Sequence, residues 1–208
     1  MEYKKRITLK DGRVCILRNG TEKDGKAALD NFILTHEQTN NLLTFPDESD
    51  MTADQEAEYL KNKTESTCEI EILAEVDGLV AGLAGIESMG SKDKIRHRAD
   101  FGISVDQAYW GLGIGSALME ACIECAKTAG YEQVELNVVA ENKRAIDMYE
   151  KAGFVEFGRN PRGFKFFAIT NDYTKGCKIL DLMRMMTEMN SCHRQLNLQL
   201  SLDRFQHL

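Results

Sequence analysis

Apolar side chains recur at helical spacing in the segment that follows a glycine-rich turn near the middle of the chain. From Leu118 onward, small or apolar residues occupy positions 118, 121, 122, 125, 126 and 129, which is the spacing of one buried helix face. Gly130 follows this run, and glycine often ends a helix because it adopts the left-handed conformation without strain. The pattern predicts a helix that begins at the glycines and ends before Gly130.

Strand-like and helix-like patterns alternate along the rest of the chain. Apolar runs predict strands, in chain order a strand pair or a strand with a turn within 6–18, two strands around the Asp77–Gly78 turn within 68–89, and strands at 99–105, 131–140, 154–159 and 178–186. Helical spacing predicts helices within 22–44, from the Thr52–Gln55 capping box onward, and within 141–153. This alternation indicates an α/β fold with a mixed sheet.

The pattern of apolar residues in the last part of the chain differs from that of the preceding strands and helices. We expect residues 1–186 to form one domain and residues 187–208 to form a C-terminal tail. The leucines between positions 196 and 202 alternate with polar residues, which is typical of an edge strand. A loosely ordered end or a homodimer contact fits the same pattern, so the sequence leaves the structure and role of the tail open.

Composition narrows the range of partners. The 208 residues include 26 Lys and Arg against 33 Asp and Glu, which gives a net charge of −7. Nucleic-acid-binding surfaces are typically basic, so nucleic acid is not an expected partner, whereas a cationic substrate is permitted. The N-terminal segment lacks the apolar core of a signal peptide, and no run approaches a membrane span. We therefore expect a cytoplasmic protein without membrane contact.

The cysteines predict no metal site. Only Cys122 and Cys125 have the spacing of a metal or redox pair, and no second CxxC completes a zinc site. Both residues fall on the predicted buried face of the central helix. We expect them to be buried thiols, with a zinc or redox pair as the alternative.

The glycine-rich turn itself, with Gly111, Gly113 and Gly115, admits several interpretations. A P-loop requires a lysine after the last glycine, and Ser116 stands there instead. A Rossmann fingerprint has a longer final spacing and belongs at the first strand–helix junction of a parallel sheet. An ordinary glycine-rich helix start stays open. In each case, backbone N–H groups at a helix N-terminus favour an anion.

Two motifs in this order resemble those of the GNAT superfamily of N-acetyltransferases. The family pattern Q/R-x-x-G-x-G/A, between the fourth strand and the third helix, is matched by "WGLGIG" from Trp110 to Gly115, with Trp in place of Gln or Arg. The pattern N-x-x-A-x-x-x-Y-x-x-x-G-F is matched by "NKRAIDMYEKAGF" from Asn142 to Phe154. The resemblance implies the GNAT fold, an α/β fold with a mixed, mostly antiparallel sheet flanked by helices and splayed between strands 4 and 5.

The resemblance also implies an enzyme that moves an acetyl group from acetyl-CoA to a primary amine by direct attack in a ternary complex. It places the pantetheine arm beside the backbone of the fourth strand, with one N–H polarising the thioester carbonyl, at Ile103, Ser104 and Val105. It places the pyrophosphate on the amides of the glycine loop, at Gly111, Leu112, Gly113, Ile114, Gly115 and Ser116. Because these donors are backbone groups, we expect binding to tolerate Trp110, whose indole would pack over the loop or against the sheet. A tryptophan that serves core packing alone is the alternative.

Further cofactor contacts are expected at the start of the following helix. The resemblance places Asn142 near the thioester, although asparagine at this position equally suits a helix N-cap. Lys143 and Arg144 lie close to the expected cofactor, and the sequence leaves open whether either contacts its 3′-phosphate.

The resemblance assigns the general acid to one residue, whereas several candidates remain for the general base. The resemblance places Tyr149 as general acid, because a phenol stays protonated at working pH and can protonate the departing thiolate. Some family members use a glutamate on the fifth strand as base, but Asn137 stands there and cannot accept a proton in that role. The remaining candidates are Glu71, Glu75, Glu87, Asp100 and water.

The acceptor side carries acidic residues in the segment between the first strands and the 68–89 hairpin. They are Asp47, Glu48, Asp50, Asp54, Glu56 and Glu58. They favour a cationic small-molecule or peptide amine as acceptor, although acidic residues are also common in a solvated first helix turn. Because position 137 lacks a glutamate, a catalytically silent acyl-CoA-binding regulator on the same fold is the alternative function.

Overall fold

The computed structural model describes residues 1–48, 50–166 and 173–182. In chain order the elements are β1 (Lys4–Thr8), β2 (Val14–Asn19), α1 (Gly25–Gln38), α2 (Ala53–Glu65), β3 (Ile70–Val76), β4 (Leu79–Ser88), β5 (Arg98–Val105), α3 (Ile114–Ala129), β6 (Gln133–Val139), α4 (Lys143–Lys151), β7 (Val155–Phe166) and β8 (Tyr173–Asp181). The predicted 187–208 tail lies outside the described residues.

The strands form one 8-stranded sheet in the order β1-β2-β3-β4-β5-β6-β8-β7. All neighbouring strands are antiparallel except β5 and β6, which are parallel. The parallel ladder covers only Arg98–Asp100 against Gln133–Glu135, so β5 and β6 diverge after Asp100. The prediction of a mixed, mostly antiparallel sheet is therefore confirmed. The predicted divergence is confirmed as well, and the strands called 4 and 5 in the family correspond to β5 and β6 of this chain.

Local sequence signals set the ends of several elements as expected. Thr52 caps α2 through the predicted capping box, in which its side chain accepts from the Gln55 amide. Asp77 and Gly78 both have positive φ, at 52° and 79°, as the tight turn between β3 and β4 requires. Gly130 ends α3 in the left-handed conformation, with φ of 84°.

Helices cover both faces of the sheet. The larger core lies between the sheet and α3, and includes Ile72 and Ile86 from the sheet and Leu118 from α3. A smaller core beneath α1 and α2 contains Ala28, Leu60, Leu73 and Leu83. On this face α1 and α2 pack mainly on β4 and β3, and Asp100 and Gly102 of β5 are exposed beside the divergence.

Cys122 and Cys125 lie in the larger core, on the buried face of α3. Both are free thiols, and burial raises the pKa of Cys125 to about 11, which keeps the thiol protonated. The buried-thiol interpretation is confirmed. None of the helices in the described ranges has the length and hydropathy to span a bilayer.

Candidate active site

The free edge of β5 forms one wall of the site. The amide of Asp106 donates to the carbonyl of Ala81 on the β4 side at 3.0 Å. Backbone groups alternate in direction along a strand, so those of Ser104 also face β4, while those of Ile103 and Val105 face the opening. The structure therefore leaves Ile103 and Val105, rather than Ser104, to pair with an extended ligand lying between β5 and β6.

The glycine loop forms the floor beside this edge. Gly111 and Gly113 have φ of 85° and 103°, a backbone conformation in which side chains other than hydrogen are strained. An added Cβ at Gly113 would meet no atom within 4 Å, so the approach to the loop is open. The loop therefore has both the conformation and the space that a closely bound ligand needs.

Most amides of this loop are available as donors. No acceptor within the described chain is assigned to the N–H groups of Gly111, Gly113, Ile114, Gly115 and Ser116. The Leu112 amide donates weakly to Tyr109 at 3.4 Å, and the Leu112 carbonyl accepts from Lys10, so this residue is turned into the protein. Free amides at the positive end of the α3 dipole make a site for a phosphate or pyrophosphate.

Trp110 lies at the junction of β5 and the glycine loop, as the sequence predicted. Its indole Nε1 donates to the Val105 carbonyl at 2.7 Å, and 40% of the residue is exposed. The guanidinium carbon of Arg144, from the first turn of α4, lies 4.8 Å from the centroid of the indole ring. The indole thus occupies the last carbonyl on the open edge of β5 and supports a cation above the loop.

Asn142 is the N-cap of α4, where its side chain accepts from the amide of Ala145 at 3.3 Å. This confirms the capping role that its position allowed. The cap uses the side-chain oxygen, so the amide NH₂ group stays available to a ligand.

Tyr149 lies on the inner face of α4, with only 7% of its surface exposed. Its ring makes an edge contact with Phe101 of β5 at a centroid distance of 6.3 Å, and packs on Phe154 at 5.8 Å. Burial raises its pKa above the ordinary value, so the phenol is protonated at neutral pH. The contact with Phe101 places the ring beside the point where β5 leaves β6.

The carboxylates proposed from sequence as bases lie in different environments. Glu75 is bound by Arg18 at 3.0 Å, and Glu87 is bound by Lys63 at 2.8 Å. Both carboxylates are therefore already engaged by a cationic side chain of the protein.

The two other carboxylates have raised pKa values. Glu71 is half-buried and packs directly on Gly85, where an added Cβ would lie 2.1 Å from its Oε2. Burial, followed by the charge of Glu56, raises its pKa to about 8. Asp100 lies at the divergence of β5 and β6, where desolvation and then the charge of Glu87 raise its pKa to about 6. Only Asp100 of these four combines a position at the opening with a pKa suited to a base.

A contact that the sequence did not suggest joins α1 to the segment between β5 and the glycine loop. The Gln38 side chain donates to Asp106 at 2.8 Å and accepts from the Gln107 amide at 2.9 Å. The Gln107 side chain donates in return to the Gln38 carbonyl. No local motif marks Gln38, because its partners lie 68 and 69 residues away in sequence.

The acidic residues expected on the acceptor side do not converge. Five of them are exposed, namely Asp47, Glu48, Asp50, Asp54 and Glu58, whereas Glu56 is buried, with 8% of its surface exposed. Burial raises the pKa of Glu56 above its ordinary value.

Comparison with known proteins agrees with this geometry. The model of the acetyltransferase (GNAT) family matches residues 35–154, which contain α2 to α4 and the glycine loop. The chain belongs to this family. The resemblance inferred from the two sequence motifs is thereby confirmed.

Two individual proteins illustrate how far the similarity extends along this chain. It is 38% identical to the L-amino acid N-acetyltransferase AaaT of Escherichia coli over 85 residues, or 40% of this chain and 52% of AaaT, so it spans about half of that relative. A GNAT-family acetyltransferase structure from Streptococcus pneumoniae aligns with a TM-score of 0.76 and 25% identity over 81% of this chain and 99% of that one.

A third similar protein was solved with a ligand. The Salmonella typhimurium protein yncA, determined with its cofactor acetyl-CoA, aligns with a TM-score of 0.70 and 17% identity over 80% of this chain and 92% of that one. At this identity the likeness shows a shared fold.

Proposed function

We propose that this GNAT protein is an N-acetyltransferase that moves an acetyl group from acetyl-CoA to the primary amine of a small molecule. The observation that carries the proposal is the adjacency of free amides at the start of α3 to the open edge of β5. The first suits a pyrophosphate, and the second suits the extended amide arm that joins a pyrophosphate to a thioester. Family membership and the acetyl-CoA of yncA support the same assignment.

The residues present fit coenzyme A at this site. The amides of Gly111 and of residues 113–116 would hold the pyrophosphate, and the free N–H groups of Ile103 and Val105 would pair with the pantetheine arm as an added strand. Asn142 would reach the thioester end through its free NH₂ group. When bound, acetyl-CoA supplies an activated acyl group as a thioester.

The backbone and Tyr149 would share the work on the thioester. An N–H from the open edge of β5 donates to the carbonyl oxygen and stabilises the charge that develops there. The amine nitrogen forms its bond to the carbonyl carbon as the carbon–sulfur bond breaks. Tyr149 gives its phenolic proton to the departing sulfur and is reprotonated from solvent.

Asp100 is the base that we propose for the attacking amine. Its carboxylate lies where β5 and β6 separate, and its raised pKa of about 6 lets it accept a proton near neutral pH. The proton lost by the amine as it attacks would pass to Asp100 directly or through one water. Asn137 is exposed on the neighbouring β6, but its side chain cannot accept a proton in this role. We therefore propose Asp100 as the base.

The acceptor that we propose is an amine small enough to enter the divergence beside Asp100. AaaT, which matches part of the chain, acts on L-amino acids, so α-amino groups are the first acceptors to test. The cationic acceptor predicted from sequence is supported by the carboxylate of Asp100 at the divergence, whereas Glu71 holds a proton at neutral pH and Glu87 is bound by Lys63. Spermidine and a lysine-terminated peptide represent that class.

Thiol release from acetyl-CoA with a panel of amines tests the proposal. We expect turnover that depends on both acetyl-CoA and an amine, with mass spectrometry showing acetylated product. Coenzyme A binding without turnover on any acceptor would instead support the silent regulator. Neutral amino acids as the best substrates would exclude the preference for cationic acceptors while leaving the transferase function intact.

A further inference from the structure

Position 110 departs from the family motif, and the structure shows what replaces the usual side chain. A glutamine or arginine there carries polar donors, whereas the only donor of Trp110 is Nε1, which is already bound to Val105. The indole has no donor left for an anion. Its exposed ring face supports the Arg144 guanidinium instead.

Arg144 lies over the first free amide of the loop. A Cβ added to Gly111 would lie 3.8 Å from its Nη2 atom, the one atom that such a group would meet within 4 Å. Arg144 makes no ion pair with any carboxylate of the described ranges, unlike Arg13, which pairs with Asp11. An arginine without a carboxylate, positioned by an aromatic ring above free amides, has its donors available for an anion.

We propose that Arg144 binds the pyrophosphate of coenzyme A and that Trp110 is its positioning residue. This inference rests on the proposed function, since it assigns two residues to the same cofactor. Arg144 and the loop amides would contact the same phosphoryl oxygens from two sides, the guanidinium through charge-assisted hydrogen bonds. The cation that the motif lacks at position 110 is supplied from α4, which lies more than 30 residues further along the chain.

The chain carries a built-in probe for this inference, because Trp110 is its only tryptophan. Titration of coenzyme A into the full chain, followed by tryptophan fluorescence, reports directly from the loop. Calorimetry on the same samples gives the Kd whether or not the emission changes. Arg144→Gln is compared with Lys151→Gln, which removes the same charge from the exposed far end of α4.

We expect Arg144→Gln to raise the Kd for coenzyme A about tenfold to a hundredfold, the change that corresponds to losing a charge-assisted hydrogen bond. Lys151→Gln should change the Kd less than about twofold, because the residue lies two helix turns from the loop. Equal Kd values for the two variants would overturn the inference. Failure of the unaltered protein to bind coenzyme A would instead overturn the proposed function.

Two further measurements test the separate roles of Arg144 and Trp110. Arg144→Gln should weaken the binding of 3′-dephospho-coenzyme A by the same factor as the binding of coenzyme A. If the variant and the unaltered protein bound 3′-dephospho-coenzyme A equally well, Arg144 would be assigned to the 3′-phosphate and the proposal would be contradicted. Trp110→Leu should weaken binding, measured by calorimetry, only while Arg144 is present. Additive effects in the double variant would show that Trp110 does not act through Arg144.

Discussion

At the scale of single residues, the surroundings of Tyr149 separate its chemistry from its packing. The ring packs against Phe101 and Phe154, and burial is the cause of the raised pKa of its hydroxyl. Replacement by phenylalanine should therefore preserve the core while removing the proton that the departing thiolate needs.

We expect Tyr149→Phe to lower kcat about a hundredfold to a thousandfold, within the range for loss of a general acid. The Kd for coenzyme A and the midpoint of thermal unfolding should change little, because the aromatic contacts are retained. Single-turnover kinetics and a thermal melt check both parts. An unchanged rate of the chemical step would remove Tyr149 from its proposed role.

Asp100 should control the acid side of the pH profile. Below its pKa of about 6, both Asp100 and the amine are protonated, so log kcat/KM should rise with a slope near 2. Between pH 6 and the pKa of the amine, only the amine still titrates and the slope should fall to about 1. Asp100→Asn should be slower and show a slope near 1 throughout.

Glu75→Gln is the control for this profile, because Glu75 is paired with Arg18 on β2, away from the divergence. This variant should keep the change of slope near pH 6. A change of slope that persists in Asp100→Asn would assign the titration to another group and contradict Asp100 as the base.

At the scale of elements, α3 has a left-handed glycine at each end. Gly113 has φ of 103° before the helix and Gly130 has φ of 84° after it, and at neither position would a Cβ meet an atom within 4 Å. Alanine at either site should cost about 1–2 kcal/mol of unfolding free energy, because an L-residue is strained there. The two sites differ only in their nearness to the expected cofactor.

We expect Gly113→Ala to weaken coenzyme A binding at least tenfold, because the methyl group would fill the approach to the loop amides. Gly130→Ala should bind as tightly as the unaltered protein despite similar destabilisation. Urea unfolding together with calorimetry measures the two effects. Equal affinities would show that the ligand does not approach Gly113 closely.

Elements determined by local signals could be predicted from sequence, and those determined by distant contacts could not. The buried face of α3, the Thr52 cap and the Asp77–Gly78 turn each depend on residues a few positions apart. The α3 pattern also predicted that Cys122 would be buried. These signals hold because spacing and backbone preference act within one element.

The candidate site was predictable as a region but not in its details. The motifs located the loop, yet the stacking of Arg144 on Trp110 joins residues of different elements, and so do the bonds of Gln38. Desolvation and then the carboxylates of two neighbouring strands raise the pKa of Asp100, and no local pattern defines the register of those strands. Alternation alone also does not show that Ser104 faces β4.

At the scale of the whole molecule, a half-buried acid affects stability. The pKa of Glu71 is raised to about 8, so the folded protein holds a proton that the unfolded chain has lost above about pH 4.3. Where the folded state binds more protons, the unfolding free energy falls as pH rises. The protein should therefore lose stability from this group between about pH 4.3 and pH 8.

Glu71→Gln should remove this decrease of the unfolding free energy with rising pH. The variant should resemble the unaltered protein at pH 5 and be more stable than it at pH 9, as measured by urea unfolding at both values. Glu58→Gln, an exposed change on α2, should show no such dependence. If both proteins lose stability equally between the two pH values, Glu71 is not the buried proton carrier.

The bonds of Gln38 have a consequence for how two ligands would affect each other. They tie the end of α1, on the side where an acceptor would enter, to the strand end that leads into the glycine loop. A ligand that orders the end of α1 should make the start of the glycine loop easier to order, and the reverse should also hold. The acceptor and coenzyme A should therefore each bind more tightly in the presence of the other, by the same factor. An enzyme linked in this way would favour assembling both reactants before chemistry begins, and cutting the link with Gln38→Ala should leave two independent binding events.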